Sequence, residues 1–333
     1  MFQKKERSTF TLYDVMQICK SEDDVEEFFF HIKWPNGFKC RKCGHTEFVH
    51  VYRKGGKLRC VYECKECGYQ ESVTAHTAME STKLPLSSWL LTTYLFVTST
   101  SGITAKEISE LTGVSYCSTK LMIRKIKQAQ KENNDKYPIV SCAVSEVDTA
   151  YFGGKKPGKR GLGAEGKVAV AAAVSKEFVE YEKNGIITAG ERTDYVKFMI
   201  INSENKKEIT QFIKKAIPAK CIIRADVSKT FKSLNIPGKT FELHETDSGI
   251  SHIQSLDHIL SNIKSKISGT FHGISLEFLE NELADFEWKF NHRKRKLENR
   301  FKSLIKTIIN GSHQTRYDLI VHFQTLIPYI HEA

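Results

Sequence analysis

At 333 residues and 40% hydrophobic content, the chain is long enough for more than one domain and apolar enough for packed cores. Its formal net charge of +11 points to a polyanionic partner, with nucleic acid ahead of an anionic membrane because no strongly amphipathic anchor is evident. The longest apolar run, Trp89–Val97, is too short and too rich in hydroxyls to span a bilayer, and the N-terminus lacks the apolar core of a signal peptide. The expected location is therefore intracellular, with no membrane partner.

In chain order, two short helices are expected at "TLYDVMQICK" and "EDDVEEFFFHI", stopped by the turn Trp34–Gly37. Next come two Cys-x-x-Cys pairs, Cys40 with Cys43 and Cys64 with Cys67, and twenty residues lie between Cys43 and Cys64. Each pair lets two thiolates meet one tetrahedral ion, and two pairs on facing hairpins close a structural Zn(II) site. Gly44 and Gly68 follow the second cysteine of each pair, where a tight turn needs a permissive backbone. Cys19, Cys117, Cys142 and Cys221 are expected to be small core residues.

After Pro85 the pattern turns helical: "LSSWLLTTYLFVTST", "TAKEISELTG", then "SYCSTKLMIRKIKQAQKE", with Thr104 and Ser115 as expected N-caps and Gly102 and Gly113 as stops. Ile103, Ile108, Leu111 and Val114 are spaced to bury one side. The last two helices read as a helix-turn-helix, whose second helix would offer Tyr116, Ser118, Thr119 and Lys120 to the DNA major groove, with Arg124, Lys125 and Lys127 near phosphates. The polar "KENNDKYP" (131–138) reads as a linker.

Beyond it the period changes to two. "VSCAVSEVDTAYF", "KVAVAAAVS" and "NGIITAGER" read as strands, "SENKKEITQFIKKAI" as a helix, "KCIIRAD" as a buried strand and "TFELHE" as another, with helices from Leu256 onward. That order describes a mixed sheet covered by helices. Asp148 sits inside the first of these strands and Asp226 ends the fourth. Aspartate is disfavoured in strands and costly to bury alone, so a pair on adjacent strands points to hard cations held through oxygen. Two Mg(II) ions there, or Mn(II) in their place, would serve an in-line phosphoryl transfer. A third ligand is expected from the helix "SLDHILSNIKSKI" at Asp257, and Lys264, about two turns on, shares its face and could meet a DNA phosphate.

Four passages carry a resemblance: "WPNGFKCRKCG", "CKECGYQESVTAHTAMESTKLPLSSW", "EVDTAYFGGK" with its basic glycine-rich loop, and "SKISGTFHGIS". With them the chain resembles the insertion-sequence transposases, family fifteen-ninety-five, that join an N-terminal zinc ribbon to a DDE-type, RNase H-like catalytic domain and are related to Merlin elements. The resemblance implies that Asp148 and Asp226 are the first two catalytic carboxylates and that Lys264 matches the lysine after the third. At the third position the family usually has Glu, Asn or His, whereas Asp257 stands here; His252, Asp247 and Glu277 are the other candidates, and a decayed copy stays open. On the loop, Lys155, Lys156, Lys159 and Arg160 would hold the DNA backbone, with Gly153 and Gly154 permitting close approach. Arg293, Lys294 and Arg295 are further DNA contacts.

The expected fold is thus multi-domain α/β: N-terminal helices and zinc ribbon (1–80), a helix-turn-helix bundle (81–135), an RNase H-like mixed sheet flanked by helices (140–290) and a basic helical tail (291–333). The expected function is a DNA transposase, cytoplasmic and nucleoid-associated, or nuclear in a eukaryotic host. It would bind element ends and target DNA as a homodimer or larger oligomer. The rival readings are an inactive or domesticated DNA-binding protein and a metal-dependent nuclease that cuts without joining.

Overall fold

The computed structural model describes residues 10–52, 60–139, 143–153, 167–183, 186–245, 252–269, 278–315 and 318–319. The chain divides into two compact units, Met1–Gln130 with Arg293–Tyr317 and Lys131–His292 with Asp318–Ala333. No helix among the described residues is long and apolar enough to cross a membrane.

The first unit begins with α1 (Leu12–Ile18) and α2 (Glu22–Lys33), the latter capped by Ser21, whose hydroxyl accepts from the Asp24 N–H. Three short antiparallel strands follow, β1 (Phe48–Tyr52), β2 (Cys60–Cys64) and β3 (Gln70–Glu71), in the order β1-β2-β3. An aromatic cluster of Phe30, Trp34, Phe38, Phe48 and Tyr62 packs α2 onto this small sheet. Lys33 bonds Glu71 at 2.8 Å and the carbonyls of Ser72 and Ala75, which ties the end of α2 to the chain leaving β3.

Next come α3 (Leu86–Thr98), α4 (Ala105–Thr112) and α5 (Tyr116–Lys136). The Thr104 and Glu107 side chains form a reciprocal capping box on α4, and Gly113, at φ +70°, ends that helix in the left-handed region where a side chain would be strained. Ile108 and Val114 are buried as their spacing requires, but Leu111 is 67% exposed. Cys117 is exposed too, not a core residue. Of the segment read as a linker, residues 131–136 are instead the end of α5. Lys131 pairs with Glu280 at 2.8 Å and the Asn134 amide donates to the Ala284 carbonyl, so tertiary contacts hold as helix a stretch that its polarity alone left open.

In the second unit, β4 (Val144–Phe152), β5 (Val168–Lys183), β6 (Ile186–Ile201), β7 (Cys221–Asp226) and β8 (Lys239–His244) form one sheet in the order β6-β5-β4-β7-β8. β5 runs antiparallel to β4 and β6, and β7 and β8 run parallel to β4. In this unit's own order that is 3-2-1-4-5 with the second strand reversed, the mixed sheet expected. β6 extends beyond its expected end at Arg192 to Ile201.

Side chains alternate across the sheet, with one register shift between β5 and β6 after Val174. Val147, Ala169, Ala171, Ala173, Ile223 and Ala225 pack on α6 (Lys206–Ala216) and α7 (Lys229–Lys232) on one face. Ala150, Phe152, Val170, Ala172 and Val174 pack on α8 (Gln254–Gly269) and α9 (Leu279–His292) on the other. A last helix, α10 (Leu297–Asn310), belongs to the first unit. Phe301, Leu304, Ile305 and Ile308 are fully buried, so one face of the helix is core, while Lys302 and Lys306 stay exposed on the other.

Candidate metal centre and active site

Two local turns bring the four cysteines together. The Gly44 N–H bonds the Cys40 carbonyl and the Gly68 N–H bonds the Cys64 carbonyl, and both glycines lie at positive φ, +79° and +65°. The Sγ atoms of Cys40 and Cys67 stand 3.6 Å apart, those of Cys43 and Cys64 3.5 Å, and all four lie within 4.8 Å of one another. A tetrahedral ion with bonds of about 2.3 Å separates its sulfurs by about 3.8 Å. The donor set fits structural Zn(II) with no open position. Cys60 lies on β2, but its side chain falls outside the described residues.

The acidic residues are gathered by the sheet. β4 and β7 are parallel neighbours, registered from Val144 opposite Ile222 to Glu146 opposite Arg224. Asp148 and Asp226 each lie two residues beyond that last pair, on neighbouring strands. Both alternate away from the face that buries Val147 and Ala225, so they share the face covered by α8, which carries Asp257 in its first turn.

Burial pushes the Asp148 carboxyl up to about 6 against a backbone N–H bond from Thr149 that lowers it, and the charges of Asp226, Asp257 and Glu204 push in the same direction as burial. The charges of the two other expected carboxylates thus reach Asp148. Among the described residues, the 4.8 Å spacing is met by the cysteines and not by the acids, whose cluster is the more open. Like charges that raise the proton affinity of Asp148 are what a hard cation relieves.

Lys264 is exposed, and its Nζ lies 5.6 Å from the ring centroid of Phe152, on the face of β4 that carries Asp148. His252 precedes α8 and stacks on His244 at 4.7 Å, and His244 is registered opposite Asp226. Asp247 and Glu277, and the loop residues Gly154, Lys155, Lys156, Lys159 and Arg160, lie outside the described residues.

In the helix pair, Tyr116 is 51% exposed with the Lys120 ammonium 6.0 Å from its ring, and Ser118 is half-buried. Thr119 does not face outward. It is fully buried, with its hydroxyl donating to the Val114 carbonyl, and so packs the turn. Arg124 is half-buried, whereas Lys125 and Lys127 are buried, Lys125 against the Glu80 carbonyl, because α5 turns that face inward. Lys294 and Arg295 are exposed between α9 and α10, with Arg295 donating to the Ser303 hydroxyl, and Arg293 is half-buried.

Two groups had not been singled out from the sequence. Glu204, in the turn between β6 and α6, reaches the acidic cluster; burial raises its carboxyl and a bond from Ser228 lowers it. Nothing in its local pattern marks it. Glu146 lies two residues before Asp148 on the same face and is 3% exposed. A second acid at period two was the available signal.

Two family models match the chain. One, described as a transposase zinc-ribbon domain, matches residues 20–70 and so contains the four cysteines; the other, described as an ISXO2-like transposase domain, matches residues 144–291 and contains Asp148, Asp226 and Asp257. No curated protein matches the chain.

Proposed function

The chain belongs to the IS1595 insertion-sequence transposases, and on that footing we propose that it binds the terminal inverted repeats of its element, cleaves DNA there and joins the freed 3'-hydroxyls to target DNA. The observation that carries the reading is the convergence of Asp148 and Asp226 from parallel neighbouring strands, with Asp257 close enough on α8 to raise the proton affinity of Asp148.

In this reading Asp148, Asp226 and Asp257 hold Mg(II). When bound, the ions lower the cost of charge on the attacking and leaving oxygens of an in-line displacement. The chain's own side chains hold the DNA. Lys264 neutralises a phosphate beside the acids, and Tyr116, Ser118, Lys120 and Arg124 meet the element end, with Lys294 and Arg295 adding backbone contacts. The basic loop Lys155–Arg160 would add further phosphate contacts. Two ends must be held together for concerted insertion, so the working form is at least a dimer on DNA, acting on chromosomal DNA in the cytoplasm.

The departure at the third position, Asp257 where relatives usually have Glu, Asn or His, favours a second reading as a copy that binds DNA without cutting it. Incubation with labelled element ends, Mg(II) and a target plasmid separates the readings by product: joined strands, cuts alone, or a mobility shift alone. Asp226→Asn is expected to slow cleavage by roughly 10³-fold, the equivalent of several kcal/mol of lost charge stabilisation, while end binding stays near wild type. Cleavage by this variant at the wild-type rate would remove Asp226 from the site.

A further inference from the structure

The helix that carries Asp257 follows directly on an apolar residue. Its first intrahelical bond runs from the Asp257 N–H to the Ile253 carbonyl, so Ile253 stands where a capping Ser or Asp is usual, with an apolar side chain that cannot accept a hydrogen bond. An acceptor comes from the sheet: Glu146 Oε2 accepts the Leu256 N–H at 2.8 Å, a buried bond between residues 110 apart in sequence. Glu146 Oε1 meets Lys176 Nζ of β5 at 2.8 Å, and the same ammonium donates to the hydroxyl of Ser255 in the first turn of α8. Glu146 is 3% and Lys176 7% exposed.

A buried ion pair is weak as a stabilising device, since desolvation offsets most of its attraction. Here it does something an apolar pair could not. It places a carboxylate at a helix N-terminus, where the backbone dipoles favour it, one residue before Asp257 along the helix and two residues before Asp148 along the strand. The same side chain thus fixes both elements that must meet at the acidic centre.

We propose that Glu146, held by Lys176, is a positioning residue that clamps the first turn of α8 against β4 and so sets the separation of Asp257 from Asp148. The proposal rests on the catalytic reading above. It also predicts why a third ligand one methylene shorter than Glu can serve, because the clamp fixes how closely the helix approaches the sheet.

The test compares two double variants of the full-length, zinc-loaded chain that both remove the buried charges. Glu146→Gln with Lys176→Met keeps an oxygen to accept the Leu256 N–H; Glu146→Met with Lys176→Met does not. Replacing a buried ion pair by apolar groups is usually tolerated, so both are expected to fold. Mn(II) binding is measured by titration and amide exchange at Leu256 by hydrogen–deuterium exchange. The Gln variant is expected to bind Mn(II) within about twofold of wild type, and the Met variant about tenfold or more weaker, the usual cost of losing a group that orients a ligand, with faster exchange at Leu256. A purely structural role would move both variants alike, so equal Mn(II) affinities in the two overturn the proposal, as does unchanged exchange in the Met variant. Asp148→Asn provides the separate control: if it leaves Mn(II) affinity intact, the catalytic reading itself falls and takes the clamp's purpose with it, whatever the two double variants do.

Discussion

The cysteine cluster and the acidic cluster both crowd groups that repel one another, and they do it by opposite routes. The four thiols come from two turns of four residues each, closed by glycines at positive φ, and their sulfurs already stand at ligand spacing. The carboxylates come from β4, β7, α8 and the β6–α6 turn, elements that meet only once the sheet and its covering helices have formed. A site made by local turns can be preset, whereas a site assembled from distant elements inherits its precision from whatever holds those elements. The first should depend on its metal to fold, and the second should fold without one and be strained by its absence.

Zinc removal is the largest expected effect. The ribbon has three strands of five residues or fewer and little apolar area apart from its aromatic cluster, so the metal supplies much of its folding energy. Structural zinc is worth about 10–16 kcal/mol in small zinc modules at neutral pH. Metal analysis should find one zinc per chain, absent in Cys43→Ser, with loss of the ribbon's dispersed amide resonances in the variant while those of the five-stranded sheet persist. A wild-type chain without zinc, or a variant that keeps both metal and ribbon resonances, would erase the contrast.

The acidic centre should respond in the opposite sense. Asp148 titrates at about 6 in the folded chain against an ordinary value of 3.8. The folded state therefore binds this proton more tightly than the unfolded state does, and the associated stability is fully present below 3.8 and lost as pH rises through 6. Asp148→Asn removes the penalty, so in Mg(II)-free buffer at pH 8 the variant should be more stable by roughly 1–3 kcal/mol, with a smaller gain at pH 5. With Mg(II) held at the acids as proposed above, excess Mg(II) should narrow the difference, because it would bind the folded wild type more tightly than the variant. Urea denaturation at the two pH values measures this, and a variant less stable than wild type at pH 8 would show that Asp148 is held by favourable partners instead of crowded by acids.

The same division governs what could be read from the sequence. The paired cysteines, the Thr104 cap, the Gly113 stop and the alternation of β4 were legible because each is a rule over a few neighbouring residues. Asp148 and Asp226 were legible because an aspartate in a strand is conspicuous. Glu204 was not, since only the packing of its turn against the sheet brings it to Asp148. Nor was the task of Glu146, which lies in its bond to a backbone N–H 110 residues away. Lys125 and Lys127 look like phosphate ligands in one dimension, and α5 then turns them inward. The helix through 131–136 escaped because Lys131 and Asn134 gain partners that composition does not reveal.

The smallest expected effect falls on a feature of the purely local kind. At Thr104 the hydroxyl accepts the Glu107 N–H at 3.2 Å and donates to the Glu107 carboxylate at 2.8 Å, while that carboxylate accepts the Thr104 N–H at 2.7 Å. These bonds keep the Glu107 carboxyl below its ordinary range. Thr104→Ala removes the hydroxyl's share and should cost about 1 kcal/mol, read as an earlier denaturation midpoint for the helical bundle. Because α4 precedes the Gly113 turn that sets Tyr116 and Lys120, element-end affinity should fall slightly as well. Mn(II) affinity at the acidic centre should not change, since no bond of the capping box reaches β4, β7 or α8. If the cap variant weakened Mn(II) as much as it weakened the bundle, the acidic centre would depend on the helical bundle, and the separation of a locally written half from an assembled half would fail.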